Sequence, residues 1–122
     1  MSNVKIDKSK NRMYINFEGF MKLDESIDLL NQCVMESKKL RSGYTVLSDT
    51  RNLKTLPQNV WDVIQKIRDN HVKQGVLKSA IIVNPKNHVS NMQVKRTMKD
   101  IKNYFPEEYF ESESEALIYL ES

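Results

Sequence analysis

The sequence holds few residues of the types that form disulfides, interrupt helices and strands, or act in catalysis. It has one cysteine, three prolines, three glycines and two histidines among 122 residues. A single cysteine, Cys33, excludes an intramolecular disulfide and a cysteine cluster for zinc. The scarcity of proline and glycine argues against a low-complexity chain. No apolar run reaches the length of a membrane span, and charges stand where a signal peptide would have its apolar core. These absences predict a folded, cytoplasmic protein that does not span a membrane.

Motifs that carry chemistry are also scarce. His71 and His88 have no carboxylate or cysteine at metal-ligand spacing, and nucleophile motifs, glycine-rich phosphate loops and convergent carboxylate pairs are missing. The sequence therefore predicts a protein that is not an enzyme and uses no metal or cofactor. Cys33 and His71 both follow apolar stripes of helical spacing, which predicts packed core residues.

What the chain does have is an ordinary globular composition, with 39% hydrophobic and 29% charged residues. This length and composition predict one domain over residues 1–122. Apolar residues that alternate with polar ones, and β-branched runs, predict strands at residues 4–7, 13–17, 44–49, 79–83 and 109–111. Apolar residues at helical spacing predict helices at residues 24–41, 57–75, 90–105 and 112–120.

Capping residues support these boundaries. Asp24 is a candidate N-cap, Gly43 a candidate left-handed C-cap, and Pro57 suits a first helical turn. Ser90 and Ser112 each begin a capping-box spacing. The order ββαβαβαβα predicts an α/β fold with a mostly parallel sheet of four to five strands, an N-terminal β-hairpin and about four helices.

Four segments of the chain resemble the SpoIIAA-like group, whose βα superhelix is the fold of STAS domains. They are INFEG at 15–19, VLSDTR at 46–51, AIIV at 80–83 and FESESEAL at 110–117. The resemblance covers nearly the whole chain and extends to the related lipid-binding CRAL-TRIO domains. It implies a role in regulation or binding rather than catalysis.

Function is expected first at the exit of the third predicted strand, because ligands meet α/β sheets at the carboxyl ends of strands. The predicted interaction or phospho-switch loop comprises Asp49, Thr50, Arg51, Asn52 and Thr55. The resemblance implies a phosphorylatable Ser or Thr here, although the Asp-Ser-Ser-Gly type of sequence is missing. The alternative is structural, with the Asp49 carboxylate bonded to nearby backbone amides and Arg51 solvated.

A second candidate site is a basic face on the predicted helix at 90–105, formed by Lys95, Arg96, Lys99 and Lys102. These side chains suit an acidic partner, an anionic membrane surface or nucleic acid, or simply form a solvated outer face. Nucleic acid is disfavoured because no aromatic residues are interleaved to stack on bases.

Two functions follow from these observations. The first is a non-catalytic regulatory protein-interaction module with a protein partner, switched by phosphorylation. The alternative is a carrier or sensor of a small apolar ligand. Self-association is compatible with either function.

Overall fold

The computed structural model describes residues 2–54, 56–86 and 105–122. Five strands form one sheet whose order follows the chain. The strands are β1 (Asn3–Asp7), β2 (Arg12–Gly19), β3 (Thr45–Leu53), β4 (Lys78–Ile82) and β5 (Glu107–Phe110). The helices of the described residues are α1 (Leu23–Ser37), α2 (Gln58–Gln74) and α3 (Glu113–Glu121). The predicted helix at residues 90–105 lies, except for Phe105, outside the described residues.

The sheet has the predicted α/β arrangement. β1 and β2 form the antiparallel hairpin, and β2, β3, β4 and β5 run parallel to one another. The predicted alternation in β2 is confirmed, because Met13, Ile15 and Phe17 are all buried. β4 lies between β3 and β5, with Ile81 in one core cluster and Ala80 in another. It is the predicted central strand with both faces covered, shifted by one residue.

The first helix differs from the prediction. It begins at Leu23 with Lys22 in the N-cap position, so Asp24 lies in the first turn, and it ends at Ser37 rather than near residue 41. Gly43 has the predicted positive φ of +89° but lies in the following loop, where its N–H donates to the Gly75 carbonyl.

Helical spacing predicts a buried stripe on α1 of Ile27, Leu30, Val34 and Ser37, with Cys33 and Leu40 alongside. The observed buried face keeps Cys33 and Ser37 but is rotated toward Ser26 and Leu29. Two serines join Leu29 and Cys33 on that face, while Ile27 is 42% exposed. Ser26 Oγ donates to the Leu23 carbonyl at 2.6 Å and Ser37 Oγ to the Val34 carbonyl at 3.1 Å. Because these hydroxyls are satisfied within the helix, the serines can be buried at small cost.

The second helix follows the prediction closely. Pro57 is its N-cap and Gly75, with φ +86°, its left-handed C-cap. The predicted stripe is buried and now includes Trp61 and Arg68. At the end of the chain, Ser112 Oγ accepts from the Glu115 N–H at 3.3 Å, which confirms the predicted cap of α3.

α3 covers the opposite face of the sheet from the main core. Ala116 and Leu120 pack with Leu47, Ala80 and Ile82 in a second apolar cluster.

The carboxyl end of α3 is held by the first residue of β4. The ammonium of Lys78 donates to the Ser122 carbonyl and hydroxyl at 2.9 Å and lies 4.7 Å from the Tyr119 ring. A cation here complements the negative end of the helix dipole.

Candidate interaction surface

The predicted loop at Asp49 to Asn52 belongs to β3, which continues to Leu53 instead of ending at Asp49. After a register shift between Asn16 and Glu18, where β3 holds one extra residue, Glu18 pairs with Asn52 and Gly19 with Leu53. A β-bulge in one strand lets the pairing continue beyond it. Of the added residues, Thr50 and Leu53 are buried, Arg51 is half-buried and Asn52 is exposed. The polar residues of this segment led the sequence prediction to end the strand too early.

Asp49 and Arg51 form a local pair. Asp49 Oδ1 accepts from the Arg51 backbone N–H and from Nε, both at 3.0 Å, and Oδ2 accepts from an Arg51 terminal nitrogen at 2.7 Å. Burial alone would raise the pKa of Asp49, but the Arg51 hydrogen bonds outweigh it and lower that pKa. The structural alternative is thus right for the carboxylate, whereas the Arg51 side chain is paired and 40% exposed.

The two candidate phosphorylation sites, Thr50 and Thr55, have different outcomes. Thr50 is 5% exposed, and its hydroxyl donates to the Ile82 carbonyl at 2.8 Å. This hydroxyl links β3 to β4 and is closed to a kinase in the folded chain. Thr55 lies outside the described residues, so phosphorylation there stays a prediction.

An open depression lies where β2, β3 and β4 end. It is lined on one side by residues that are mostly basic or amide-bearing, here called the basic half: Arg51, Asn52, Lys54, Asn84 and Lys86. The Lys54 N–H donates to the Gly19 carbonyl at 3.0 Å, and Asn84 Nδ2 donates to the Arg51 carbonyl at 3.4 Å. Lys54 and Lys86 are exposed. The basic half contains the predicted Asn52 and Arg51 and adds three residues.

A second depression adjoins the first and shares Glu18 and Gly19 as its wall. Its other lining residues, here called the acidic half, are Phe20, Lys22, Asp24, Glu25, Asp28 and Gln32. Glu25 accepts from the Ser2 N–H at 3.0 Å, while Asp24 and Asp28 are exposed. The two halves together are called the carboxyl-end surface below.

Phe20 is the aromatic residue of this surface, and sequence reasoning missed it. Its side chain is 72% exposed, whereas the next residue, Met21, is 2% exposed. Gly19, with φ +71°, turns the chain at this point. An aromatic residue between a strand-ending glycine and the polar start of a helix was the available signal.

The core between α2 and the sheet contains a small, mainly apolar and partly open cavity of about 40 Å³. A few polar side chains line it, among them Ser48, His71 and Arg68. Arg68 donates to both Glu107 oxygens at 2.8 Å, and the side chains of this ion pair are 7% and 4% exposed.

His71 is a core residue, as its position in the stripe predicts. A hydrogen bond of 2.8 Å joins its Nδ1 and the Tyr44 hydroxyl. Burial, with a smaller contribution from Arg68, lowers the pKa of His71 to about 3, so the ring is neutral at physiological pH. Cys33 is fully buried as predicted, and burial raises the pKa of its thiol to about 12.

Other predicted features have different outcomes. Lys95, Arg96, Lys99 and Lys102 lie outside the described residues, so the basic face stays a prediction. Within residues 2–54, 56–86 and 105–122, no three His, Cys, Asp or Glu side chains come together as a metal site. No helix in this part of the chain combines the length and apolar character of a membrane span.

Comparison with known proteins identifies the fold. No protein-family model and no curated protein matches the chain. A solved structure is similar to it over 98% of this chain and 92% of the other, with 15% sequence identity and a TM-score of 0.68. That structure is an uncharacterized protein from the DUF3478 family with a SpoIIAA-like fold, from Shewanella loihica PV-4. The chain therefore has the SpoIIAA-like fold that its sequence predicts.

Proposed function

We propose that this chain is a non-catalytic regulatory module that binds a protein partner through the carboxyl-end surface. The observation that carries the proposal is Phe20, 72% exposed beside the junction of a basic and an acidic depression. A buried aromatic side chain removes roughly 150–250 Å² from water, and such residues dominate the energetics of interfaces. The flanking charges would set the orientation of the partner.

The chemistry at this surface supports binding rather than catalysis. Asp49 is engaged by Arg51, and the Thr50 hydroxyl is engaged by the Ile82 carbonyl. A general base or nucleophile needs a lone pair or proton that can reach a substrate. The neutral ring of His71 is 4% exposed and bonded to Tyr44. Because these three side chains are engaged in hydrogen bonds within the fold, we assign the exposed side chains of the surface to recognition rather than catalysis.

The phosphorylation switch is proposed for Thr55 alone. It precedes the N-cap of α2, Pro57, by two residues. The first turn of α2, Gln58 to Trp61, carries no carboxylate of its own in the sequence. A phosphate near a helix N-terminus is electrostatically favourable and would add negative charge close to Lys54. Phosphorylation would then weaken binding of an acidic partner segment.

A second candidate function, the carrier of a small apolar ligand, is favoured by the cavity under α2. Its lining is mainly apolar, with Ile15, Phe17 and Trp61 among its walls. At about 40 Å³ it is far below the roughly 300–1,000 Å³ of ordinary ligand pockets, so a ligand would have to displace α2. Native mass spectrometry of protein from its own host checks this, since a co-purified apolar molecule would favour the carrier.

Affinity capture from the native host tests the interaction module. The test variant is Phe20→Ala, and the matched control is Ile118→Ala on α3, because Ile118 is 71% exposed. We expect a protein that binds the unmodified chain and the control to be lost with Phe20→Ala. An identical set of captured proteins for all three would contradict the proposal. Peptide mapping of the same material would show phosphate at Thr55 if the switch operates.

A further inference from the structure

The carboxyl-end surface carries opposite charges on its two sides. The basic half presents Arg51, Lys54 and Lys86, and the acidic half presents three carboxylates against the single cation Lys22. The two halves share Glu18 and Gly19, so they are adjacent on one face of the molecule. Phe20 follows directly in the chain and lines the acidic half.

Such a surface is complementary to itself. A twofold rotation about an axis near Phe20 would place the basic half of one copy against the acidic half of the other. Twofold interfaces have this property, since residue i meets residue j and j meets i. The same rotation brings the two Phe20 side chains together at the centre, where a desolvated aromatic anchor contributes most.

From this arrangement we infer that the chain forms a twofold homodimer through the carboxyl-end surface, with a second copy of itself as the occupant. The inference goes beyond the proposed function, because partner binding there does not require self-association. It would also regulate that function, because a partner that needs Phe20 competes with the second copy for the same surface. Dimerisation would then lower the amount of chain free to bind.

Sedimentation velocity of the purified full chain over a wide concentration range measures this association. Phe20→Ala should raise the dimer dissociation constant by at least about 30-fold, the change that corresponds to a hot-spot residue. The matched control Ile118→Ala should leave it unchanged. Raising the salt concentration should weaken the dimer, because exposed charges are screened.

Charge reversal gives a sharper test than loss of binding. Lys54→Glu with Lys86→Glu makes both halves acidic, and Asp24→Lys with Asp28→Lys makes both halves basic. Each double variant should dissociate when alone, because like charges would face each other across the axis. An equimolar mixture should form a heterodimer, since both contacts become attractive. All four side chains are exposed, so circular dichroism should show an unchanged fold.

A charge control separates this surface from general electrostatics. Lys5→Glu with Lys8→Glu reverses two exposed charges on the β1–β2 hairpin and should leave the dimer intact. A chain that stays monomeric, a dimer indifferent to Phe20→Ala, or a charge-reversed mixture that fails to pair would each overturn the inference. Failure here leaves the proposed function standing if Phe20→Ala still loses a captured partner.

Discussion

The buried neutral ring of His71 makes the stability of the fold depend on pH. In the unfolded chain this histidine binds a proton near its ordinary pKa of 6.5, while in the folded chain its pKa is about 3. Between these values the unfolded state holds about one proton more than the folded state, so acidification favours unfolding. The stabilisation is complete above pH 6.5 and is lost as the pH falls toward 3.

The size of the effect follows from these two values. One proton difference changes the free energy of unfolding by about 1.4 kcal/mol per pH unit. Acidification from about pH 7.5 to about pH 5 should therefore cost about 2 kcal/mol through His71 alone. Few carboxylates titrate in this range, which isolates the histidine.

Urea unfolding at the two pH values, followed by the fluorescence of the single tryptophan, Trp61, measures this cost. The comparison variant is His71→Gln, which keeps a hydrogen-bonding side chain for Tyr44 but does not titrate. His88→Gln is the matched control for the other histidine. We expect the wild type and the His88→Gln variant to lose about 2 kcal/mol more than His71→Gln on acidification.

Two results would refute this reasoning. The first is an equal loss of stability in the wild type and in His71→Gln over the same pH range. The second is a folded-state NMR titration in which the His71 ring protonates near its ordinary pKa of 6.5. Either result would mean that water or a rearrangement stabilises the protonated ring inside the core.

Three further predictions concern stability and reactivity. Glu107→Ala should lower the free energy of unfolding by about 3–5 kcal/mol, because the Arg68 charge stays buried without the Glu107 carboxylate. Adding Arg68→Met should recover much of this loss, as measured by urea titration. Equal instability of the single and double variants would argue against a buried-charge penalty. Cys33 should resist alkylation in the folded chain and react only at the rate of unfolding, as mass spectrometry over time would show. Rapid native labelling would mean that α1 opens locally. Lys78→Met should lower the local stability of the carboxyl end of α3 by about 1 kcal/mol, seen as faster amide hydrogen exchange up to Ser122. Unchanged exchange would argue against this cap.

Local patterns predicted most of the fold. Short-range chemistry that tertiary packing reinforces was enough to predict three features: the buried stripe of α2, which ends at Gly75, the buried alternation of β2, and the Ser112 cap. The prediction failed where polar residues take core positions. Ser26 is buried in α1 with its hydroxyl bonded to the Leu23 carbonyl of the same helix, a core position that hydrophobic periodicity does not register.

Only part of the candidate site was predicted, again because polar residues occupy strand and core positions. The exit of β3 forms part of the carboxyl-end surface, but polarity alone suggested a loop, and pairing with β2 extends the strand to Leu53. Thr50 was assigned as a switch residue from its position, yet alternation along a strand turns its hydroxyl into the core. Phe20 belongs to the surface only because Gly19 and Lys54 bring β2 and β3 to a common end, a non-local arrangement.

The sheet order has a consequence for how the chain folds. Every strand of the described residues pairs with its neighbours in sequence, and the parallel pairs join residues at similar separations. Met13 pairs with Val46 and Val46 with Ser79, each 33 positions apart (46 − 13 and 79 − 46), and Ser79 pairs with Glu107, 28 positions apart (107 − 79). β3, β4 and β5 therefore each join an open edge of the sheet at a similar entropic cost of loop closure. Assembly can proceed in the order of synthesis, because none of these five strands has to insert between two that have already paired.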